Sequence, residues 1–456
     1  MTLRSLFVDF DSYFASVEQE VQPALRGRPV AVVPVLSDST CCIAASYAAK
    51  ALGIRTGTRV ADARRLCPQL VLCLARPVLY VEWHHRLLAA IGRVLPIATV
   101  GSIDEVDCAL TGSECRRERA EALAHAIKRE IAREAGFIRC SIGIAPNAFL
   151  AKTAADMHKP DGLAVLEPAD LPQALHGLDL RDLCGIGPAL ERRLHRHGIR
   201  SVAQLTAADA ATLRRAWGSI EGERFHTLLH GGWLPPRVTV RGSVGHSHVL
   251  GPELRNAAGA RAVLFKLLSK AAMRLRRLGL TAGALSVRVR YTGERPRWTR
   301  EARFTATAST RTLLHELRAL IEDSAAPALP GPRGARPLAL SVTLHRLRDP
   351  AQAQPDLFGA AATSSSRLDA TIDRINTRFG HNTVYFGALG AALAHDAAPM
   401  RIPFSRVPDT ASEAGQHELW LQALQRFNAA GQRAHAAAAR AHADKLGGPA
   451  ATGDPA

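Results

Sequence analysis

The sequence predicts a multidomain α/β and α+β chain, and three observations predict it. Strand-like and helix-like patterns alternate through the first 165 residues. Helical pieces punctuated by glycine fill the stretch from about 170 to 230, and apolar/polar alternation of period two appears beyond 280. At 456 residues the chain has room for about three or four domains with separate cores. Hydrophobic residues make up 47% and charged residues 22%, which excludes a disordered or fibrous class.

The first strand-like segment, residues 6–10, reads Leu-Phe-Val-Asp-Phe and precedes a helical stretch that places Phe14, Val17 and Val21 on one face. Residues 29–35 form a second apolar, β-branched run. Over 120–134, Leu123, Ile127 and Ile131 recur at four-residue spacing, the pattern of an amphipathic helix, and a strand follows over 140–145. Gly185-Ile186-Gly187 is the sharpest break in the short-helix region. Residues 231–236, Gly-Gly-Trp-Leu-Pro-Pro, oppose regular structure and read as a linker. Beyond it, Val263, Leu264, Leu267, Leu268, Ala271 and Leu275 give a helix over 260–278 an apolar face that can cover a sheet. The sheet itself is announced by Leu285, Val287, Val289 and Tyr291, alternating with Ser286, Arg288, Arg290 and Thr292, and by a second alternation over 338–347. A polar stretch over 352–367, a short helical piece over 368–379 and an Ala- and His-rich end from about 411, expected to be mobile, complete the chain.

The charge is concentrated. Lys and Arg number 58 against 41 Asp and Glu, a net +17, and residues 237–348 alone hold 21 basic and 6 acidic residues, a net +15. Arginines on the outer face of a half-buried strand suit a surface that follows phosphates, so nucleic acid is the expected partner. The eight cysteines form no C-x-x-C pair and no zinc spacing, and read as buried free thiols in a reducing compartment. The histidines form no ligand constellation and are expected mostly at the surface. Acidic residues interrupt the N-terminal apolar run before a signal peptide forms, and no stretch approaches the ~20 apolar residues of a membrane span. A soluble, cytoplasmic protein with no membrane partner is expected.

Two acidic clusters lie in strand contexts, Asp9-Phe10-Asp11 and Asp104-Glu105-Val106-Asp107. Taken alone they read more readily as helix caps or solvated loop acids. Brought together on adjacent strands, they would form a hard-oxygen site suited to Mg²⁺ and substrate phosphates, and two ions about 3.5–4 Å apart serve phosphoryl chemistry. Tyr47 to Lys50 and Asp156 to Gly162 each offer a cation to a triphosphate.

Four stretches carry a specific resemblance: Asp-Phe-Asp-Ser-Tyr-Phe-Ala-Ser-Val-Glu (9–18), Ala-Ser-Tyr-Ala-Ala-Lys-Ala-Leu-Gly-Ile-Arg (45–55), Ser-Ile-Asp-Glu (102–105), and the run from Ser141 to Gly162. They occur in the order found in Y-family DNA polymerases, and the chain resembles the DinB/UmuC translesion branch from residue 1 to about 348, more loosely to about 407. The resemblance implies a right-hand polymerase. Palm and fingers would span 1–165 (fingers approximately 20–75), a helical thumb with a helix-hairpin-helix element 166–230, the linker 231–236, a little finger 237–348, and a C-terminal extension 349–456.

It further implies that Asp9, Asp104 and Glu105 are the catalytic carboxylates, holding two Mg²⁺ ions with the backbone carbonyl of Phe10, while Asp11 need not ligate. Phe14 falls at the steric gate that excludes a ribose 2′-OH. Tyr47, Lys50 and Lys159 fall at contacts to the dNTP triphosphate. Lys50 stands where arginine is usual, which loses the bidentate fork, and Ile43 falls in the roof over the nascent base pair. Gly185 and Gly187 would approach the phosphates of primer-template DNA, with Arg288 and Arg290 on the little finger. Gln354, Leu357 and Phe358 resemble a peptide that docks in the sliding clamp. The implied activity is template-directed DNA synthesis across damage without proofreading, with accessory repair proteins as further possible partners. Two alternatives stand beside it: a polymerase-shaped accessory factor with weak or no catalysis, and a helix-hairpin-helix DNA-binding module whose acids are structural.

Overall fold

A computed structural model describes residues 2–38, 40–235, 241–293, 297–322, 328–329, 331, 334–352, 362–379, 383–395 and 397. They fall into two compact units that part between 235 and 241.

The first unit runs β1 (Ser5–Phe10), α1 (Tyr13–Val21), β2 (Val30–Val33), β3 (Ala44–Ala45), α2 (Tyr47–Ala51), α3 (Val60–Leu66), β4 (Val71–Leu74), α4 (Pro77–Gly92), β5 (Ile97–Val100), β6 (Glu105–Ala109), α5 (Arg117–Glu134), β7 (Cys140–Ala145), α6 (Ala148–Met157) and β8 (Leu163–Val165). Its main sheet has the order β5-β6-β1-β7-β8, with β1 antiparallel to both neighbours and buried along its whole length. Side chains alternate across a strand. Leu6, Val8 and Phe10 therefore enter one core with Leu87, Ile91, Leu123 and Ile127, while Phe7 packs on the opposite face with Leu150, Ala151 and Ala154 of α6. Close approach of α6 requires glycine at 143, where a Cβ would lie 1.9 Å from the Ala151 carbonyl oxygen.

The α5 helix buries Leu123, Ile127 and Ile131 as its spacing predicts. The face predicted for α1 is shifted. Val21 is exposed, and Glu18 and Gln19 are buried in its place because they have partners: Tyr80 Oη donates to Glu18 at 2.7 Å, Arg76 pairs with the same carboxylate, and Gln19 donates to the Leu25 carbonyl at 2.9 Å. A small sheet, β3-β2-β4, forms its own core with Ile54, Val60 and Leu70.

The unit closes with α7 (Pro188–Arg196), α8 (Val202–Ala207), α9 (Ala210–Trp217) and α10 (Glu221–Leu229). Ser201 and Asp209 cap α8 and α9 by accepting from the backbone N–H three residues on. Residues 232–235 have no regular structure, in keeping with the Gly- and Pro-rich composition there.

The second unit contains β9 (Ser243–Val249), α11 (Ala257–Arg277), β10 (Thr281–Tyr291), β11 (Trp298–Thr307), α12 (Thr310–Glu322), β12 (Pro337–Arg348), α13 (Ala362–Phe379) and α14 (Gly390–Ala394). The antiparallel sheet β11-β10-β12-β9 buries Leu285, Val287, Val289, Leu340, Val342 and Leu344 against α11 and α12. Its inner face is the alternation legible in the sequence. Arg276 of α11 ties α13 to this core, with Nε and a terminal nitrogen 2.7 and 2.9 Å from the Asp373 carboxylate.

Candidate active site

Strand period decides which acids meet. Asp9 shares its face of the sheet with Phe7, and register pairs it with Glu105 of β6 and Ser141 of β7. The two acidic clusters thus lie on adjacent strands, and the Phe10 N–H donates 2.9 Å to the Asp104 carbonyl oxygen. Asp9, Asp104 and Glu105 sit at one end of the β1–β6 pair, and α6 with the loop after it lies against Asp9 and Glu105.

The α6 helix and the loop after it supply two lysines. Lys159 Nζ lies 2.7 Å from Asp9 and 2.7 Å from Asp156, and Lys152 pairs with Glu105. The Ser102 hydroxyl donates to the Asp104 carboxylate. Burial pushes the Asp9 carboxyl up to about 7 against the pull of Lys159, and Asp104 and Asp156 push the same way. Burial also works against the Lys159 ammonium, yet Asp9 and Asp156 hold its pKa above the usual lysine range. The ammonium therefore stays charged, and the carboxylates form a site short of positive charge.

These observations bear on a divalent cation. The donors are hard oxygens, and ammonium groups already stand against Asp9 and Glu105 where cationic charge is needed. No three His, Cys, Asp or Glu side chains converge as a ready-made metal cluster among the described residues. The residue types and their placement at one sheet end fit a metal, with Lys152 and Lys159 paired to Glu105 and Asp9.

Asp11 has a different task. Its buried carboxylate accepts from the Asp161 N–H at 2.7 Å, the Ser141 hydroxyl at 2.9 Å and the Tyr47 hydroxyl at 3.1 Å. It thereby ties β7, α2 and the loop bearing Lys159 to one point. Asp161 adopts a left-handed backbone (φ 53°), as does Ser12 at the start of α1 (φ 48°), conformations that cost a non-glycine residue about 1 kcal/mol. Asp11 and the Lys128–Asp161 ion pair, 2.6 Å, hold the first of them.

Tyr47 and Lys50 lie together on α2, the Lys50 ammonium 4.4 Å from the Tyr47 ring centroid. Burial lowers the Lys50 pKa and the neighbouring Lys159 charge adds to this. Mutual repulsion of two cations marks a place where an anion is favoured. Phe14 is half-buried and stacks on Tyr80 at 4.5 Å between ring centroids. Tyr80 is held in turn by Glu18 and Arg76.

Gly185 takes φ +93°, a conformation that suits glycine, and Gly187 stands at the N-cap of α7. Arg288 and Arg290 are exposed on β10, paired across the sheet with Thr299, Ser341 and Ala339. Gln354, Leu357 and Phe358 lie outside the described residues.

Sequence reasoning missed Lys152, Tyr80 and His84. The expectation of surface histidines fails at His84, which is 1% exposed, because its ring nitrogen has a partner 2.7 Å away in the Ile103 carbonyl. Cys184 is exposed, against the expectation of buried thiols, since it lies in the loop before Gly185. Residues 80–91 carried a signal for α4 in the spacing of Tyr80, Trp83, Leu87 and Ile91.

Comparisons with known proteins give the chain a family. The impB/mucB/samB family matches residues 8–156, its C-terminal domain 241–357, and its HHH motif 168–199. The chain is 32% identical over 393 residues to DNA polymerase IV of Moorella thermoacetica, covering 83% of this chain and 94% of that one. It is 33% identical over 365 residues to DNA polymerase IV of Halorhodospira halophila, covering 79% and 99%. Among solved structures, a Y-family DNA polymerase chimera of Dbh and Dpo4 superposes with a TM-score of 0.62 at 24% identity, covering 75% of this chain and 98% of that one, a likeness of fold. The chain belongs to the impB/mucB/samB family, the DinB-like Y-family DNA polymerases.

Proposed function

We infer that this chain is a DNA-directed DNA polymerase that performs translesion synthesis, adding deoxynucleotides from dNTP to the 3′-OH of a primer on template DNA. The observation that carries the reading is the placement of Asp9 and Glu105 as cross-strand partners beside Asp104. Nucleotidyl transfer is divalent-metal chemistry in this family. Asp9, Asp104, Glu105 and the Phe10 carbonyl would hold two Mg²⁺ ions, which when bound polarise the α-phosphate and favour the ionised 3′-OH.

The chain's own residues do the rest. Tyr47, Lys50 and Lys159 bind and orient the triphosphate, so that pyrophosphate leaves in line with the attacking oxygen. The Phe14 ring, backed by Tyr80, occupies the space a ribose 2′-OH would need. Gly185 and Gly187 present backbone N–H groups to DNA phosphates, and Arg288 and Arg290 neutralise others. These roles follow the domain plan of palm and fingers (1–165), thumb (166–230), linker (231–236) and little finger (237–348). Gln354, Leu357 and Phe358 dock the polymerase on the sliding clamp, and accessory repair proteins are further partners. No helix among the described residues is long and apolar enough to cross a membrane, and DNA as the substrate puts the work in the cytoplasm.

Primer extension with Mg²⁺ on intact and lesion-bearing templates tests the reading. The intact protein extends both, and Asp104→Ala with Glu105→Ala stops extension while DNA binding remains. Extension that survives the double substitution overturns the site, and no extension from either protein favours the accessory role. Deleting residues 354–358 leaves short-primer synthesis unchanged and abolishes stimulation by the clamp.

A further inference from the structure

One buried polar side chain faces the turn that delivers Asp104 and Glu105. His84 lies on α4 among Tyr80, Trp83, Leu87 and Ile91, and its Nδ1 is 2.7 Å from the carbonyl oxygen of Ile103. A carbonyl only accepts, so Nδ1 carries the proton. Burial pulls the ring's pKa down to about 4, with His85 adding to it and the Ile103 carbonyl opposing, so the donor is a neutral imidazole.

Among the described residues the acceptor has no other hydrogen-bond partner. Residues 102–104 form a bend before β6 begins, and no backbone N–H among the described residues donates to the Ile103 carbonyl. The backbone flanking the turn is fixed: Gly101 and Ser102 donate to the Glu105 carbonyl at 2.9 and 3.3 Å, and Phe10 donates to the Asp104 carbonyl at 2.9 Å. The Ile103 side chain is itself buried. His84 therefore fixes a carbonyl of the turn that the sheet leaves free, immediately before Asp104.

We propose that His84 is a positioning residue for the metal centre, its Nδ1–H holding the Ile103 carbonyl so that Asp104 and Glu105 face Asp9. The proposal rests on the reading of those three carboxylates as metal ligands. Catalytic carboxylates must be held to a fraction of an ångström by groups behind them, and losing such support costs about 10–100-fold in metal affinity or activity. A histidine that only filled the core would be replaceable by any apolar side chain of similar volume.

The test compares His84→Leu, which keeps volume and loses the donor, with His84→Asn, whose amide N–H reaches toward the place of Nδ1. Mn²⁺ binding is read by electron paramagnetic resonance with primer-template and a non-hydrolysable dNTP analogue, beside single-turnover kcat, KM for dNTP and thermal midpoint. His84→Leu is expected to weaken Mn²⁺ binding and lower kcat by about 10-fold or more with KM within about 3-fold, and His84→Asn to recover most of both. Equal values for His84→Leu and the native protein overturn the proposal, as does equal impairment of the two variants.

If His84→Leu does not fold, His84→Asn and His84→Ala give the same contrast, since both are small and only the first carries a donor. Affinity kept by the former and lost by the latter supports the role, and equal affinities overturn it. Asp104→Ala separates the two levels: loss of Mn²⁺ binding there with none in His84→Leu rejects His84 and keeps the ligand assignment, whereas binding unchanged in Asp104→Ala rejects the assignment itself.

Discussion

The two large sheets of this chain use charge in opposite ways. In the first unit, acids sit at the end of a fully buried central strand, and each has a fixed partner: Lys159 on Asp9, Lys152 on Glu105, Ser102 on Asp104. In the second, Arg288 and Arg290 stand in solvent beside Ser341 and Ala339 of the neighbouring strand. Desolvation makes the first set costly, most of all at buried Asp9, which requires the nearby Lys159 cation. Exposure makes the second set additive and screened by salt. Single substitutions should thus break the first sheet's function and only grade the second's.

Asp11→Ala sharpens the contrast most. It leaves the Asp161 N–H and the Ser141 and Tyr47 hydroxyls without their shared acceptor, and a cost of about 2–4 kcal/mol in unfolding free energy is expected from one buried and two part-buried donors left unpaired. Chemical denaturation measures it, and a loss below about 0.5 kcal/mol would show that Asp11 does not organise the site. Phe14→Ala should reduce discrimination against ribonucleotides by about 10-fold or more, since removing a steric clash removes the main difference between the two sugars. Unchanged sugar selection in competitive incorporation removes the gate from Phe14.

On the second sheet, Arg288→Ala with Arg290→Ala should lower the salt slope of DNA binding by about 2, one unit for each phosphate no longer neutralised, with single-turnover chemistry on saturating DNA unchanged. A slope equal to the native protein's would place the DNA elsewhere. The smallest effect expected is a gain. Lys50→Arg restores a bidentate fork to the triphosphate and should improve KM for dNTP by about 2–5-fold, and steady-state kinetics that show a worse KM would mean that α2 has been shaped around the lysine.

The parts of this arrangement that were legible in the sequence are those set by strand period and order. Leu6, Val8 and Phe10 against Asp9 announce a strand with an acid on one face, and Leu285 to Tyr291 announce a sheet with arginines outside. Pairing of Asp9 with Glu105 needed only that β1 and β6 be neighbours. What the sequence did not reveal depends on contacts between distant helices and the sheet. Lys152 looks like any helix lysine until Gly143 lets α6 settle on β7, and His84 looks like a surface residue until the 102–104 bend brings a carbonyl to it. The burial of Glu18 in place of Val21 has the same cause, because a charged residue enters the core only when an arginine and a tyrosine from another helix are waiting.

The most direct test of the central claim, that the acids at the end of the first sheet perform the chemistry while the basic sheet holds DNA, is the single-turnover incorporation rate of Asp9→Asn measured together with its DNA affinity. The substitution keeps the size of the side chain and removes its charge. A rate lower by on the order of 10³-fold with DNA affinity within about 3-fold is predicted, since ligand loss at such a site costs several kcal/mol of transition-state stabilisation. A rate within 10-fold of the native protein's would contradict the account.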